Sequence, residues 1–230
     1  MSKVAWIIFS AVIVLIIGGL VVYSRSSNPS TDVSTIDVNK VIAANDQNGQ
    51  IADHVFGKAD SKVVFIEYGD FQCPSCGGAF TPVKTVTEEY KDKVAFIFRN
   101  FPLTTIHPNA RVAAAAAEAA GLQGKYWEMH DALYTSQSDW ENLNGDQRTN
   151  TFASYAARIG IDGTKFTADL ASKEVNQRIS FDQSLGKKIG VNSTPSFYLN
   201  GKKLSDADAG QIVRGSTTVL KNLFDKALAE

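Results

Sequence analysis

The stretch 67-EYGDFQCPSC-76 contains the only two cysteines of the 230-residue chain, Cys73 and Cys76. The apolar run Val63–Ile66 precedes it and predicts a buried strand. Apolar residues recur at helical spacing after it and predict a helix that begins at Pro74. The cysteines are therefore expected at a strand-to-helix junction, where backbone N–H groups and the helix dipole stabilise a thiolate.

Three chemical roles are open to a Cys-x-x-Cys pair. A zinc site needs four ligands, but the chain has no second cysteine pair, and its three histidines lack the usual spacing. A purely structural disulfide is a second role, although so short a loop constrains the unfolded chain little. Thiol–disulfide exchange is favoured, with Cys73 as the thiolate that attacks or is attacked and Cys76 as its more buried partner. No metal site is predicted.

Other residues near the pair suit the same chemistry. Pro74 fixes the first helical φ, and Ser75 supplies a hydroxyl that can bond sulfur or face water. Glu67 interrupts an apolar strand, and a buried carboxyl there should have a raised pKa and carry protons for the second cysteine. Alternatively, Glu67 reaches solvent or pairs with a lysine in a structural role. Thr194-Pro195 opens a later strand, and proline in that place marks an edge or a special peptide bond.

The order of predicted elements indicates an α/β fold. Two continuous apolar strands flank the first helix, as expected when helices cover both faces of a sheet. A helical stretch without strand signals follows, then two short strands joined by an Asn-Gly turn and a last helix with a possible break near Gly215. The pattern is βαβ, a helical insertion at about residues 107–190, then ββα. The strands are predicted at 63–68, 94–99, 196–199 and 202–204, and the last helix at 207–228.

The amino-terminal residues predict a membrane anchor. Residues 4–23 carry no charge and would form a helix about 30 Å long, enough to span a membrane. We interpret residues 1–24 as a signal anchor, with a cleaved signal peptide as the alternative. Residues 25–50, rich in Ser, Asn, Thr and Asp, predict a tether, and residues 51–230 the globular domain. Net charge is −1 with scattered Lys and Arg, which does not indicate a nucleic-acid surface.

Several motifs together resemble the DsbA-type thiol–disulfide oxidoreductases. The resemblance implies a thioredoxin fold with an inserted helical domain, in which Cys73 is the nucleophile and Cys76 its partner. It further implies that Pro195 is cis and packs against the disulfide, where its neighbours bind an extended substrate peptide. Glu67 falls where thioredoxin-like proteins carry a buried acid. The motifs lie in residues 57–64, 67–76, 99–103, 107–110, 123–130 and 190–197.

The resemblance also implies a function. It is that of a single-pass cell-membrane protein whose extracytoplasmic domain introduces disulfides into exported proteins, without a cofactor. A membrane quinone-linked partner of the DsbB or VKOR kind would reoxidise it, and we expect a monomer. Ser75 and Thr194 depart from the His and Val of the best-studied strong oxidants. A membrane-anchored thiol reductase is therefore an alternative, and a peptide-binding or chaperone module with a structural disulfide is another.

Overall fold

A computed structural model describes residues 31–230 of the chain. The predicted membrane helix in residues 1–24 lies outside the described residues. Among the helices of residues 31–230, none is both long and apolar enough to cross a membrane. Residues 32–230 form one compact unit.

A five-stranded mixed sheet forms the centre of this unit, in the order β1-β3-β2-β4-β5. The central pair, β2 and β3, is parallel, and every other neighbouring pair is antiparallel. The strands are β1 (Val55–Gly57), β2 (Val63–Gly69), β3 (Val94–Asn100), β4 (Ser196–Leu199) and β5 (Lys202–Lys203).

The helices follow the predicted βαβ, helical block, ββα order. Helix α1 connects the two parallel strands, α2 to α7 lie between β3 and β4, and α8 and α9 close the chain. They are α1 (Pro74–Glu89), α2 (Ala110–Gly121), α3 (Tyr126–Thr135), α4 (Gln137–Trp140), α5 (Gly145–Arg158), α6 (Gly163–Asp169), α7 (Lys173–Lys188), α8 (Asp206–Val213) and α9 (Thr218–Ala229). The α/β class and its element order are thus confirmed.

Both faces of the central strands are buried, which explains why their sequences are continuous apolar runs rather than alternating ones. On one face, Phe65 stacks on Phe96 and Phe197. On the other face, Tyr68 belongs to a second apolar cluster with Phe181 of α7. Successive side chains of a strand point to opposite faces, so β2 contributes side chains to the apolar cluster on each face of the sheet.

Residues 32–50 belong to the domain, which corrects the tether predicted for 25–50 and the domain start predicted at residue 51. The side chains of Val33, Val38 and Ile42 are buried in the same cluster as Tyr68. Asp53 accepts a hydrogen bond of 2.8 Å from the Ile42 N–H. The segment is polar overall, so its composition indicated a linker, but its few apolar side chains cover one face of the sheet.

Two further features of the fold concern strand β1 and the last helix. Strand β1 was not predicted, because three residues are too few to show a period. The last helix was predicted with a break near Gly215 as one option, and the structure has that break, between α8 and α9. Gly215 has φ of 98°, a backbone conformation that glycine adopts without the cost of a Cβ.

Candidate active site

The two cysteines lie at the start of α1, directly after β2. Cys73 is the N-cap residue and Pro74 occupies the first turn. Both sulfur atoms are free thiols. Cys73 is 6% exposed, whereas Cys76 is completely buried. Both cysteines are therefore buried, and only Cys73 keeps slight access to solvent.

The site stabilises the thiolate form of Cys73 and lowers its pKa to about 5. The hydrogen bond from the Cys76 thiol is the largest cause, while burial acts in the opposite direction. The Thr194 side chain and the backbone N–H groups of Cys76 and Ser75 lower the pKa further. These N–H groups are the unpaired donors of the first helical turn, and they bind negative charge. At pH 7 Cys73 is a thiolate.

Cys76 and Glu67 are held in their protonated forms. Burial raises the pKa of the Cys76 thiol well above its usual range, and its hydrogen bond to Cys73 raises it further. Glu67 lies in β2, paired with Phe98 of β3 and Phe197 of β4, and is 3% exposed. Burial is the main cause that raises the pKa of Glu67 to about 8, and the charge of Cys73 adds to it. The site thus places a buried acid beside a buried thiol.

The segment before β4 lies against Cys73, although 121 positions separate it in sequence. The Thr194–Pro195 peptide bond is cis. The Sγ of Cys73 lies 3.4 Å from the carbonyl oxygen of Thr194, which can accept a hydrogen bond from Cys73 only while that sulfur is protonated. The Thr194 hydroxyl oxygen is buried and has no hydrogen-bond partner within residues 31–230. It is therefore available to donate to the thiolate.

The structure brings together most of the residues singled out from the sequence. Cys73, Cys76, Glu67 and Thr194-Pro195 meet at one end of the sheet. Ser75 is exposed, and it contributes its backbone N–H rather than its hydroxyl to the charge on Cys73. Within residues 31–230, no group of His, Cys, Asp and Glu side chains is arranged to hold a metal ion.

Two polar residues that support the cysteine loop were not identified from the sequence. Asp70 is buried, and its Oδ2 accepts from the Leu103 N–H and lies 2.8 Å from the Nδ1 of His107. Gln137 of α4 donates to the carbonyl oxygen of Cys73 at 3.0 Å. A buried aspartate inside the motif is a signal that could have found the first. Gln137 has no such signal, because its partners are backbone atoms distant in sequence.

The fold and this site define a class of protein. Residues 49–214 match a family model described as thioredoxin. The chain therefore belongs to the thioredoxin family.

Several solved structures share this fold. A thioredoxin-like oxidoreductase from Silicibacter pomeroyi is 26% identical, covering 81% of this chain and 95% of that one with a TM-score of 0.62. BdbD from Bacillus subtilis is 22% identical over 83% and 100% of the two chains, with a TM-score of 0.65. The thiol-disulfide exchange protein alpha-DsbA2 from Wolbachia pipientis is 20% identical over 76% and 86%, with a TM-score of 0.62. The thioredoxin-like fold implied by the resemblance to DsbA-type oxidoreductases is thus confirmed, and the Silicibacter pomeroyi structure agrees with the predicted class of enzyme.

The curated relatives are named as antiporters rather than as oxidoreductases. The Na(+)/H(+) antiporter NhaA 1 of Salinispora arenicola is 39% identical over 151 residues, which are 66% of this chain but 22% of that protein. The corresponding protein of Mycolicibacterium gilvum is 36% identical over 165 residues, or 26% of its length. The chain thus spans about a quarter of the length of the curated relatives it matches.

Proposed function

We propose that this protein is a thiol–disulfide oxidoreductase that introduces disulfide bonds into exported proteins through Cys73 and Cys76. The observation that carries the proposal is the difference between the two sulfur atoms. Cys73 is a stabilised thiolate at the helix start, and Cys76 is a buried, protonated thiol. A thiolate is the form that attacks disulfides and also the form that leaves most readily.

The reaction begins from the oxidised site. A substrate thiolate attacks the Sγ of Cys73, the Cys73–Cys76 bond breaks, and a mixed disulfide forms. Cys76 leaves as a thiolate and takes the proton of the Glu67 carboxyl group. A second substrate thiolate attacks the substrate sulfur of the mixed disulfide and releases Cys73 as a thiolate. Two electrons pass from the two substrate thiols to the enzyme.

The direction of exchange follows from the same stabilisation. Only the reduced enzyme contains the Cys73 thiolate, so lowering the pKa of Cys73 favours the reduced form and makes the oxidised form a stronger oxidant. At pH 7, a Cys73 pKa of about 5 raises the reduction potential by at most about 60 mV, since each pKa unit corresponds to about 30 mV for a two-electron couple. Solvent near Cys73 reduces this figure.

The proposal extends to compartment and partners. The uncharged residues 4–23 support a single-pass membrane anchor with the domain outside the cytoplasm. Exported proteins with cysteines are then the substrates, and a quinone-linked membrane protein of the DsbB or VKOR kind reoxidises the enzyme. We assign exchange rather than ion transport, because the match to the antiporters covers about a quarter of their length.

Trapping of substrates tests the exchange reaction. In Cys76→Ala, the mixed disulfide on Cys73 cannot be resolved from within the site, so disulfide-linked substrates should accumulate and disappear on reduction. Cys73→Ala should trap none. Equal trapping by the two variants would contradict the assigned order of attack, and unchanged activity in a variant lacking both would favour a peptide-binding module.

Equilibration with glutathione tests the direction. A reduction potential near −120 mV is typical of a strong oxidant, and one near −270 mV is typical of a reductase. The proposed oxidase should lie nearer the first value. A potential close to the second would favour the alternative, a membrane-anchored thiol reductase that uses the same two sulfur atoms.

A further inference from the structure

We propose that His130 of α3 connects Glu67 to solvent through a narrow cavity, so that protons reach the site by a path separate from the substrate surface. The inference rests on the proposed exchange reaction, in which Glu67 gives a proton to Cys76 and later receives one. His130 acts through Glu67 rather than on the sulfur atoms. His130 is therefore a positioning residue, which affects the reaction only through the protonation of Glu67.

The cavity lies between the sheet, α1 and α3. Apolar and polar side chains both line it, and the polar ones are Glu67, Lys84, Thr87, His130, Asp131 and Tyr134. Glu67 and His130 are buried, whereas the side chains of Asp131 and Lys84 are 31% and 44% exposed. The cavity thus extends from the buried acid toward the surface.

The cavity is large enough for water but not for a ligand. Its volume is about 30 Å³ for the centres of water molecules, and one water needs roughly 10–15 Å³ on that measure. It therefore admits about two waters. Glu67 and His130 supply polar atoms at its buried end, as an internal water requires.

Hydrogen bonds continue the path from His130 to the surface. The Nδ1 of His130 lies 3.1 Å from the Oδ1 of Asp131, and the Oδ2 of Asp131 accepts from the Nζ of Lys84. Burial raises the pKa of Asp131, but hydrogen bonds from His130 and Lys84 outweigh burial and hold that pKa below its ordinary value. Asp131 is therefore a carboxylate that only accepts, so the Nδ1 of His130 carries the proton.

This tautomer leaves a free acceptor at the inner end of the chain. The Nε2 of His130 is buried and has no hydrogen-bond partner within residues 31–230. An unsatisfied buried acceptor is unfavourable, and a cavity water is a partner that would satisfy it. Burial lowers the pKa of His130, which keeps the ring neutral and able to accept. Tyr126 and Tyr134 are the other titratable groups that face the ring, besides Asp131 and Lys84.

The proton steps balance over one catalytic cycle. After protonating Cys76, Glu67 is a carboxylate beside the Cys73 thiolate, and its raised pKa leads it to take up a proton at pH 7. Before reoxidation Glu67 must lose that proton to serve as the base for Cys76. A cavity water accepts it and passes a proton to the Nε2 of His130, while the Nδ1 proton moves to Asp131 and then to solvent. Proton uptake reverses these steps and restores the tautomer.

The test compares the pH profiles of two half-reactions in His130→Phe and His130→Gln. Reoxidation of the reduced protein by glutathione disulfide should slow roughly tenfold at pH 7. The difference should shrink above pH 8, where Glu67 is ionised without a relay. Attack of a substrate thiol on oxidised Cys73 and the pKa of Cys73, read from thiolate absorbance, should stay at wild-type values. Tyr126→Phe is the matched control, because it removes a buried hydroxyl beside the His130 ring that does not line the cavity, and it should leave both profiles unchanged.

The outcomes separate the relay from the proposed function. Wild-type profiles in both His130 variants would overturn the relay and leave the exchange reaction intact. Slowing that is the same at every pH, or that Tyr126→Phe shares, would assign His130 to packing and also overturn the relay. Should the phenylalanine variant not fold, the glutamine variant decides alone. Failure of the wild-type protein to exchange disulfides would instead refute the proposed function.

Discussion

Replacing Glu67 with glutamine should stabilise the reduced protein at neutral pH while weakening its activity. Glu67 is 3% exposed in the central strand β2, and burial with the nearby Cys73 charge raises its pKa to about 8. A carboxyl group whose pKa is raised in the folded protein favours the unfolded state at any pH at which it is ionised only when unfolded. Glutamine has nearly the same shape and does not titrate, so it removes this penalty.

The sign and size of this change in the free energy of unfolding follow from the linkage between folding and protonation. Between pH 4.5, the ordinary value, and about 8, Glu67 is protonated in the folded state and ionised in the unfolded state. The folded state binds one more proton there, so the free energy of unfolding falls by about 1.4 kcal/mol per pH unit. At pH 7 the cost is roughly 3 kcal/mol. A buried amide that must find new partners costs about 1 kcal/mol, which leaves a net gain of about 2 kcal/mol.

Urea denaturation of the reduced wild type and Glu67→Gln, at several values between pH 4.5 and 8, measures this difference. Cys73 titrates in both proteins, so its own contribution cancels. The advantage of the variant should be least at pH 4.5 and should increase steadily toward pH 8. Glu88→Gln replaces an exposed carboxyl of α1 and is the matched control, with a small difference at every pH.

A difference that does not change with pH would refute the reasoning. It would mean that Glu67 ionises alike in the folded and unfolded states, and hence that the carboxyl group is solvated rather than buried. A variant that is less stable at every pH would instead assign Glu67 a structural hydrogen-bonding role. Either result would remove Glu67 as the proton donor to Cys76.

Two further substitutions test other parts of the structure. Thr194→Val removes the buried hydroxyl beside Cys73 and should raise the Cys73 pKa by about one unit, since a hydrogen bond to a charged group contributes roughly 1.5–3 kcal/mol. Thiolate absorbance against pH measures it, and an unchanged pKa would show that the hydroxyl does not reach the sulfur. Asp53→Asn breaks the fully buried ion pairs with Arg99 and Arg178 and should lower the free energy of unfolding by about 3–5 kcal/mol. A free energy of unfolding from urea denaturation within about 1 kcal/mol of wild type would contradict that reading.

The fold was predictable where local pattern and tertiary role agree. The apolar runs of β2 and β3 and the start of α1 at Pro74 follow from residue type and spacing alone. Strand β1 was not predictable, because it exists through antiparallel pairing with β3 and has only three residues. The packing of residues 32–50 depends on Arg99, whose guanidinium donates to the carbonyl oxygens of Val38 and Lys40. Such contacts between distant residues leave no periodic signal.

The candidate site was likewise predictable where it depends on local sequence and not where it depends on contacts between distant residues. The positions of Cys73, Cys76 and Glu67 in a strand-to-helix junction indicated where thiolate chemistry would occur. The proximity of Thr194 and the support from Gln137 depend on how later elements fold back, which local spacing cannot encode. Polar residues inside apolar segments are the most informative single signal in this chain. Asp53, Asp70 and Glu67 are all buried, and each has a distinct structural or chemical reason.

The two perturbed groups together define a range of pH in which the proposed chemistry is favoured. Above about pH 5 Cys73 is ionised, and the reduced form gains stability that the disulfide form lacks. Below about pH 8 Glu67 stays protonated, so the two negative charges do not coexist in the buried site. The acid is then ready to protonate Cys76 when the disulfide opens. Because the thiolate charge itself raises the Glu67 pKa, ionisation of one group delays ionisation of the other and keeps this range wide.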